Sequence, residues 1–148
     1  MVAWRAFITA HARIIERIDD ALGMADQIPL DWYDVLIELY EAPERRLRMS
    51  ELADRVVLSR STLSHLVKRI ECAGLLVRER SGPDRRGAYA VITEAGMAAL
   101  QAAWPVYAHG ISTYFAQHLS DVDARTVAEA LTRMLAALHS RVNETRNP

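Results

Sequence analysis

The stretch Ser59–Leu76, SRSTLSHLVKRIECAGLL, constrains this chain more than any other. At about 100° per residue, Leu63, Leu66, Val67 and Ile70 fall on one side of a helix, and Ser61, Ser64, His65 and Lys68 on the opposite side. Both sets keep the i, i+3, i+4, i+7 spacing, so one face suits a core and the other suits something else. Ser59 stands where an N-cap belongs, and Gly74 where a helix is closed. The outward set offers hydroxyls, an imidazole and cations, with no carboxylate until Glu71. A merely solvated face more often mixes Glu with Lys. Short hydroxyl side chains permit close approach to a polyanion, and Lys68 and Arg69 can neutralise phosphates.

Just upstream, Ser50–Val57 reads as a shorter helix with Leu52, Ala53 and Val56 apolar, so the pair is a helix-turn-helix. Downstream, Leu76–Arg80 alternates apolar and charged residues as a strand does, and Ala88–Thr93 reads as its partner. The segment between them, SGPDRRGA, carries glycine, proline and two arginines and predicts an exposed hairpin loop. A basic loop on a two-stranded ribbon beside such a helix is a wing. Arg85 and Arg86 are its candidates for the minor groove or the phosphates.

MSELADRVVLSRSTLSHLVKRIECAGLLVRERSGPDRRGAYAVITEAG resembles the winged helix-turn-helix core of the MarR family of bacterial transcription regulators, from about Leu47 to Gly96. The helical flanks also fit that family's layout, so the resemblance covers nearly the whole chain. It implies that Ser64 and His65 stand where base-contacting side chains are usual, and that Asp84 is the wing aspartate, pairing with an arginine to fix the loop. Family members often carry Arg where His65 stands, so the preferred sequence is not readable. The resemblance further implies a two-fold dimer, with recognition helices about one DNA turn, ~34 Å, apart on a pseudo-palindrome.

Net charge, −1 over 148 residues, argues at first against a nucleic-acid partner. The distribution of that charge points the other way. Residues 45–86 carry 11 basic and 5 acidic groups, a surplus of +6, while the remainder carries −7. A basic middle between acidic ends is the footprint of a DNA binder whose other surfaces stay clear. No apolar run approaches the ~18 residues of a membrane span, and charges interrupt the N-terminal apolar residues, unlike a secretory signal. The single cysteine agrees with a reducing, cytoplasmic setting.

The predicted fold is mainly α with a small two-stranded β wing. A single domain over 1–148 has its winged core at about 30–96 and dimerisation helices at about 1–23 and 97–143. Trp4–Gly23 is the first amphipathic helix. A second is capped by Asp31 with Asp34 in a capping-box position, and is stopped by Pro43 before a charged turn, Glu44-Arg45-Arg46. Thr93 caps a long helix to about His118, kinked at Pro105; Ser120, with Asp123, caps another to about Asn143. The terminal stripes are too long for so small a core to bury, which again suggests a second copy.

Candidate DNA-binding residues are Arg48, Arg60, Ser61, Thr62, Ser64, His65, Lys68, Arg69, Arg85 and Arg86, with Arg46 a further phosphate candidate. Trp32, Tyr33, Tyr40, Trp104 and Tyr107 are candidates for a cleft where relatives take small phenolic or aromatic carboxylate effectors. His11, with Arg13, is a candidate for the carboxylate, although aromatics at helical spacing equally serve a core. Cys72 reads as a buried, inert thiol. The histidines show no metal-ligand spacing, so no metal and no cofactor is expected. Nor does a nucleophile–base pairing or phosphate-cradling loop suggest an enzyme. The expected function is a dimeric repressor released from its operator by a small aromatic ligand. The alternatives are an oxidant or metal sensor of the same fold, and a protein-binding winged-helix adaptor.

Overall fold

The computed structural model describes residues 1–56, 58–80 and 87–145, with backbone alone at 80 and 139–145. The chain forms two compact units, residues 1–110 and 111–148. In the first lie α1 (Val2–Met24), α2 (Leu30–Glu41), a 3-10 turn (Pro43–Arg45), β1 (Arg46–Arg48), α3 (Met49–Arg55), α4 (Arg60–Cys72), β2 (Leu76–Arg80), β3 (Ala88–Ile92) and most of α5 (Glu94–Tyr114). The second holds the end of α5, a 3-10 turn (Ala116–His118) and α6 (Asp121–Thr145).

Helix α2 is the hub of the first unit, packing against α1, α3, α4, β1 and β3. Its Val35, Leu36 and Leu39 are fully buried, with Leu22 of α1, Leu52 of α3, Leu63, Val67 and Ile70 of α4, and Leu76 of β2. Burying each such side chain stabilises by about 1.5–3 kcal/mol. The inward stripe of α4 is thus the core face that its periodicity predicts.

The helix ends are fixed by local chemistry. Ser59 Oγ accepts the Thr62 amide at 3.2 Å and caps α4. At the other end Gly74 takes φ +76°, with its amide on the Glu71 carbonyl (2.9 Å) and the Leu75 amide on that of Ile70 (3.2 Å), a Schellman closure. Thr93 Oγ1 accepts the Gly96 amide at 3.1 Å and donates to the Gly74 carbonyl at 2.7 Å, tying the start of α5 to the end of α4. Gly96 lies so close to the Leu75 carbonyl that no side chain fits there. In the second unit, Ser120 and Asp123 form a reciprocal capping box, at 3.1 and 3.2 Å.

Three expectations change. The helix-2 cap is not Asp31: Pro29 precedes the helix, and Asp19 of α1 accepts the Leu30 amide at 2.8 Å. Asp31 falls in the first turn, where its charge still favours the helix N-terminus. Glu44-Arg45-Arg46 is not wholly a turn, because Arg46 opens a third strand. The antiparallel sheet runs β1-β3-β2, with Leu47 opposite Ala90 and Arg48 opposite Tyr89. Finally, the helix from Thr93 ends at Tyr114 rather than near His118, broken at Phe115 (φ −129°, ψ −65°). It continues unbroken through Pro105, which leaves the Gln101 carbonyl without its usual amide partner.

Candidate nucleic-acid interface

Along α4, Ser61, Thr62, Ser64, His65 and Lys68 are exposed, while Leu63, Leu66, Val67 and Ile70 are buried. The hydroxyls at its start are partly engaged: Ser59 Oγ lies 3.1 Å from Ser61 Oγ and 2.7 Å from Thr62 Oγ1. His65 and Lys68 project one and two turns further along, clear of that cluster. Ser64 faces a concavity of about 350 Å³, shared with Ser50, Arg48, Arg60 and Arg78.

Arg69 stands apart from this set. Its guanidinium lies 5.7 Å over the Trp32 ring of α2, so it bridges α4 to the hub helix. The expected wing residues Asp84, Arg85 and Arg86 lie outside the described residues.

The end of α4 is pinned to the sheet. Arg78 of β2 donates from its amide to Glu71 Oε1 (3.2 Å) and from Nε to Oε2 (2.9 Å), and Nη2 lies 2.6 Å from Oε2. These hydrogen bonds hold the Glu71 carboxyl below the usual carboxylate range and raise Arg78 above its ordinary value. Cys72, expected to be buried, is exposed. One residue past Glu71 and two past Ile70, it has rotated off the buried stripe.

On the other side of α2, Tyr33, Ile37 and Tyr40 face Met97, Leu100, Gln101 and Trp104 of α5 across a groove of about 180 Å³. The Tyr33 and Tyr107 rings are 4.5 Å apart, and Trp104 lies 6.2 Å from Tyr107. Burial pushes both phenols up, so both are neutral at physiological pH. Arg45 sits at the groove's end, its guanidinium 4.8 Å over the Tyr40 ring and against the Met97 sulfur.

Four of the five expected cleft aromatics are therefore together. Trp32 is not, because a step of one residue turns it about 100° from Tyr33 and under Arg69. His11 is not brought there either: it is exposed on α1, its ring 6.3 Å from Phe7. Arg13 pairs with Glu16 at 2.9 Å. The cation at the groove is Arg45, which the sequence pattern assigns to a turn.

Comparison with known proteins settles the lineage. A MarR family profile matches residues 26–87. The HTH-type transcriptional regulator TtmR of Methylorubrum extorquens is 30% identical over 99% of this chain and 72% of its own length. The structure of Sco3205, a MarR family transcriptional regulator from Streptomyces coelicolor in complex with DNA, is 31% identical. It superposes with a TM-score of 0.86 over 93% of this chain and 89% of that one. The chain belongs to the MarR family.

A second Streptomyces coelicolor MarR family regulator, AbsC, superposes equally well, with TM-score 0.86 and 29% identity over 94% of this chain and 93% of that one. MarR proteins are transcriptional regulators rather than enzymes. Among the described residues no His, Cys, Asp and Glu group could hold a metal ion, and no helix is long and apolar enough to cross a membrane.

Proposed function

We propose that this MarR protein is a dimeric, sequence-specific DNA-binding regulator of the cytoplasm. It acts as a repressor that a small aromatic or phenolic ligand releases from a pseudo-palindromic operator. The observation that carries the reading is the exposed face of α4, where His65 and Lys68 have no carboxylate in ion-pair contact among the described residues and stand beside the arginine-bearing sheet. On this reading His65 and Ser64 meet base edges in the major groove, Lys68 and Arg60 meet phosphates, and Arg85 and Arg86 reach the adjacent minor groove.

Support for the dimer comes from apolar side chains at both ends of the chain. On α1, Trp4, Phe7 and Ile8 are exposed, as are Val122, Met134 and Leu138 on α6, more than a monomer leaves bare without cause. On this reading a second copy covers these stripes, and two-fold symmetry presents two α4 faces to one duplex. Support for the ligand comes from the groove between α2 and α5, where aromatic walls meet the Arg45 cation, a combination suited to a single-ring acid. The oxidant-sensing alternative draws on the exposure of Cys72.

Selection of bound fragments from genomic DNA, repeated with candidate phenolic acids and with peroxide, tests the reading. Enrichment of a two-fold symmetric site, lost on adding an acid but not peroxide, is the expected result. Binding that ignores both salt and sequence would favour the adaptor.

A further inference from the structure

Tyr89 carries two guanidinium groups. Arg46 and Arg48, two residues apart on β1 and so on one face, each place Cζ 5.2 Å from the Tyr89 ring centroid. The two cations differ in their surroundings. Arg46 is neutralised by Glu44 at 2.5 Å, whereas no carboxylate among the described residues lies within ion-pair distance of Arg48. Cation–π attraction orients Arg48 but leaves its charge unbalanced. On its far side, Arg48 Nη1 lies 3.2 Å from where a Cβ on Gly87 would stand, so the guanidinium runs close along bare backbone there.

Arg48 enters the concavity where α3, α4 and the sheet meet. Arg78 contributes there a charge already taken by Glu71. Arg60, in the first turn of α4, contributes one with no carboxylate partner among the described residues, and Ser50 and Ser64 contribute hydroxyls. Two unbalanced guanidinium groups and two hydroxyl donors, open to solvent, match a group that bears one negative charge and several acceptor oxygens.

We propose that this notch seats one backbone phosphodiester of bound DNA. Arg48 and Arg60 grip its oxygens, and Tyr89 is the positioning residue that holds Arg48 in place. The inference rests on the DNA-binding reading above and adds to it a fixed, sequence-neutral anchor between recognition helix and wing. Such an anchor sets the register in which α4 meets the bases.

The test measures affinity for two duplexes of unrelated sequence across a range of salt, for the wild type, Arg48→Ala, Tyr89→Leu and Tyr89→Phe. Arg48 is exposed, so its replacement leaves the fold intact, which thermal melts verify. Arg48→Ala should weaken both duplexes equally, by roughly tenfold at moderate salt. It should also flatten the slope of log affinity against log salt by about one. Tyr89→Leu should move the slope the same way, and Tyr89→Phe, which keeps the ring face, should restore it. Unchanged slopes in Arg48→Ala and Tyr89→Leu, with the wild type binding normally, overturn the seat alone. A loss confined to one duplex overturns it too, since that marks a base contact. A wild type that binds neither duplex overturns the DNA reading, and the seat with it.

Discussion

Glu71, in the last turn of α4, and Arg78, on β2, are joined through both carboxylate oxygens, one of them shared by Nε and Nη2. The pair ties the last turn of α4 to β2. Because these bonds lower the Glu71 pKa, the stabilisation is fully present above the ordinary glutamate value, about 4.3. It is lost as pH falls through the lowered value in the folded state. Melts of wild type and Glu71→Gln should therefore differ at neutral pH and converge in acid; a gap that widens in acid defeats the assignment.

Two glycine-to-alanine changes should move stability in opposite directions. At Gly96 a methyl group collides with the Leu75 carbonyl and the Ile92 side chain, so Gly96→Ala should cost about 1–3 kcal/mol. At Gly23, inside α1, nothing lies within 4 Å. There Gly23→Ala should stabilise by about 0.5–1 kcal/mol through helix propensity. Denaturant titration of the two variants reads both signs.

Ser59→Ala removes the side chain that caps α4 and orders the Ser61 and Thr62 hydroxyls. A stability loss of about 1 kcal/mol is expected. DNA affinity should fall further than the folded fraction does, because the first turn of α4 frays. Equal losses in both measurements would mean that the hydroxyl cluster plays no part in binding.

His65→Ala should cost about 1–3 kcal/mol on a preferred site and little on unrelated DNA, the pattern of a base contact. Lys68→Ala should weaken both together. Competition binding with matched and mismatched duplexes separates the two.

Trp104→Ala opens the groove between α2 and α5 while leaving α4 untouched. It should abolish release of DNA by an aromatic acid and leave the ligand-free affinity within about twofold, a difference under ~0.5 kcal/mol. A mobility-shift titration with and without the acid measures both.

How much of this was legible in the sequence depends on the range of the interaction. The two faces of α4, its Ser59 cap and its Gly74 closure are periodic or local, and they read directly from residues 59–76. β1 did not. Three residues, Arg-Leu-Arg, carry no period, and their strand character comes from pairing with β3 forty residues away. The cap of α2 escaped for a similar reason, since Asp19 belongs to another helix and only the α1–α2 packing brings it there. Tyr89 looks like an ordinary strand former until the register sets it opposite Arg48. Arg45 likewise looks like part of a charged turn until α5 arrives beside it. Such residues are chosen by the tertiary fold, not by their neighbours in the chain.

Glu44 and Arg45 both adopt left-handed backbone angles, φ 54° and 55°, at a cost of roughly 1–2 kcal/mol each for residues with a Cβ. They occupy the short link between α2, which walls the groove, and β1, whose Arg46 and Arg48 lie over the Tyr89 ring. One side of the link ends in a guanidinium on Tyr40, the other in two guanidinium groups on the sheet. A spring held cocked by its own side chains is the mechanical equivalent. Glycine at 44 and 45 would uncock it, but would also strip the guanidinium from Tyr40 and the carboxylate from Arg46. The relief of backbone strain is thus set against the side-chain contacts that impose it.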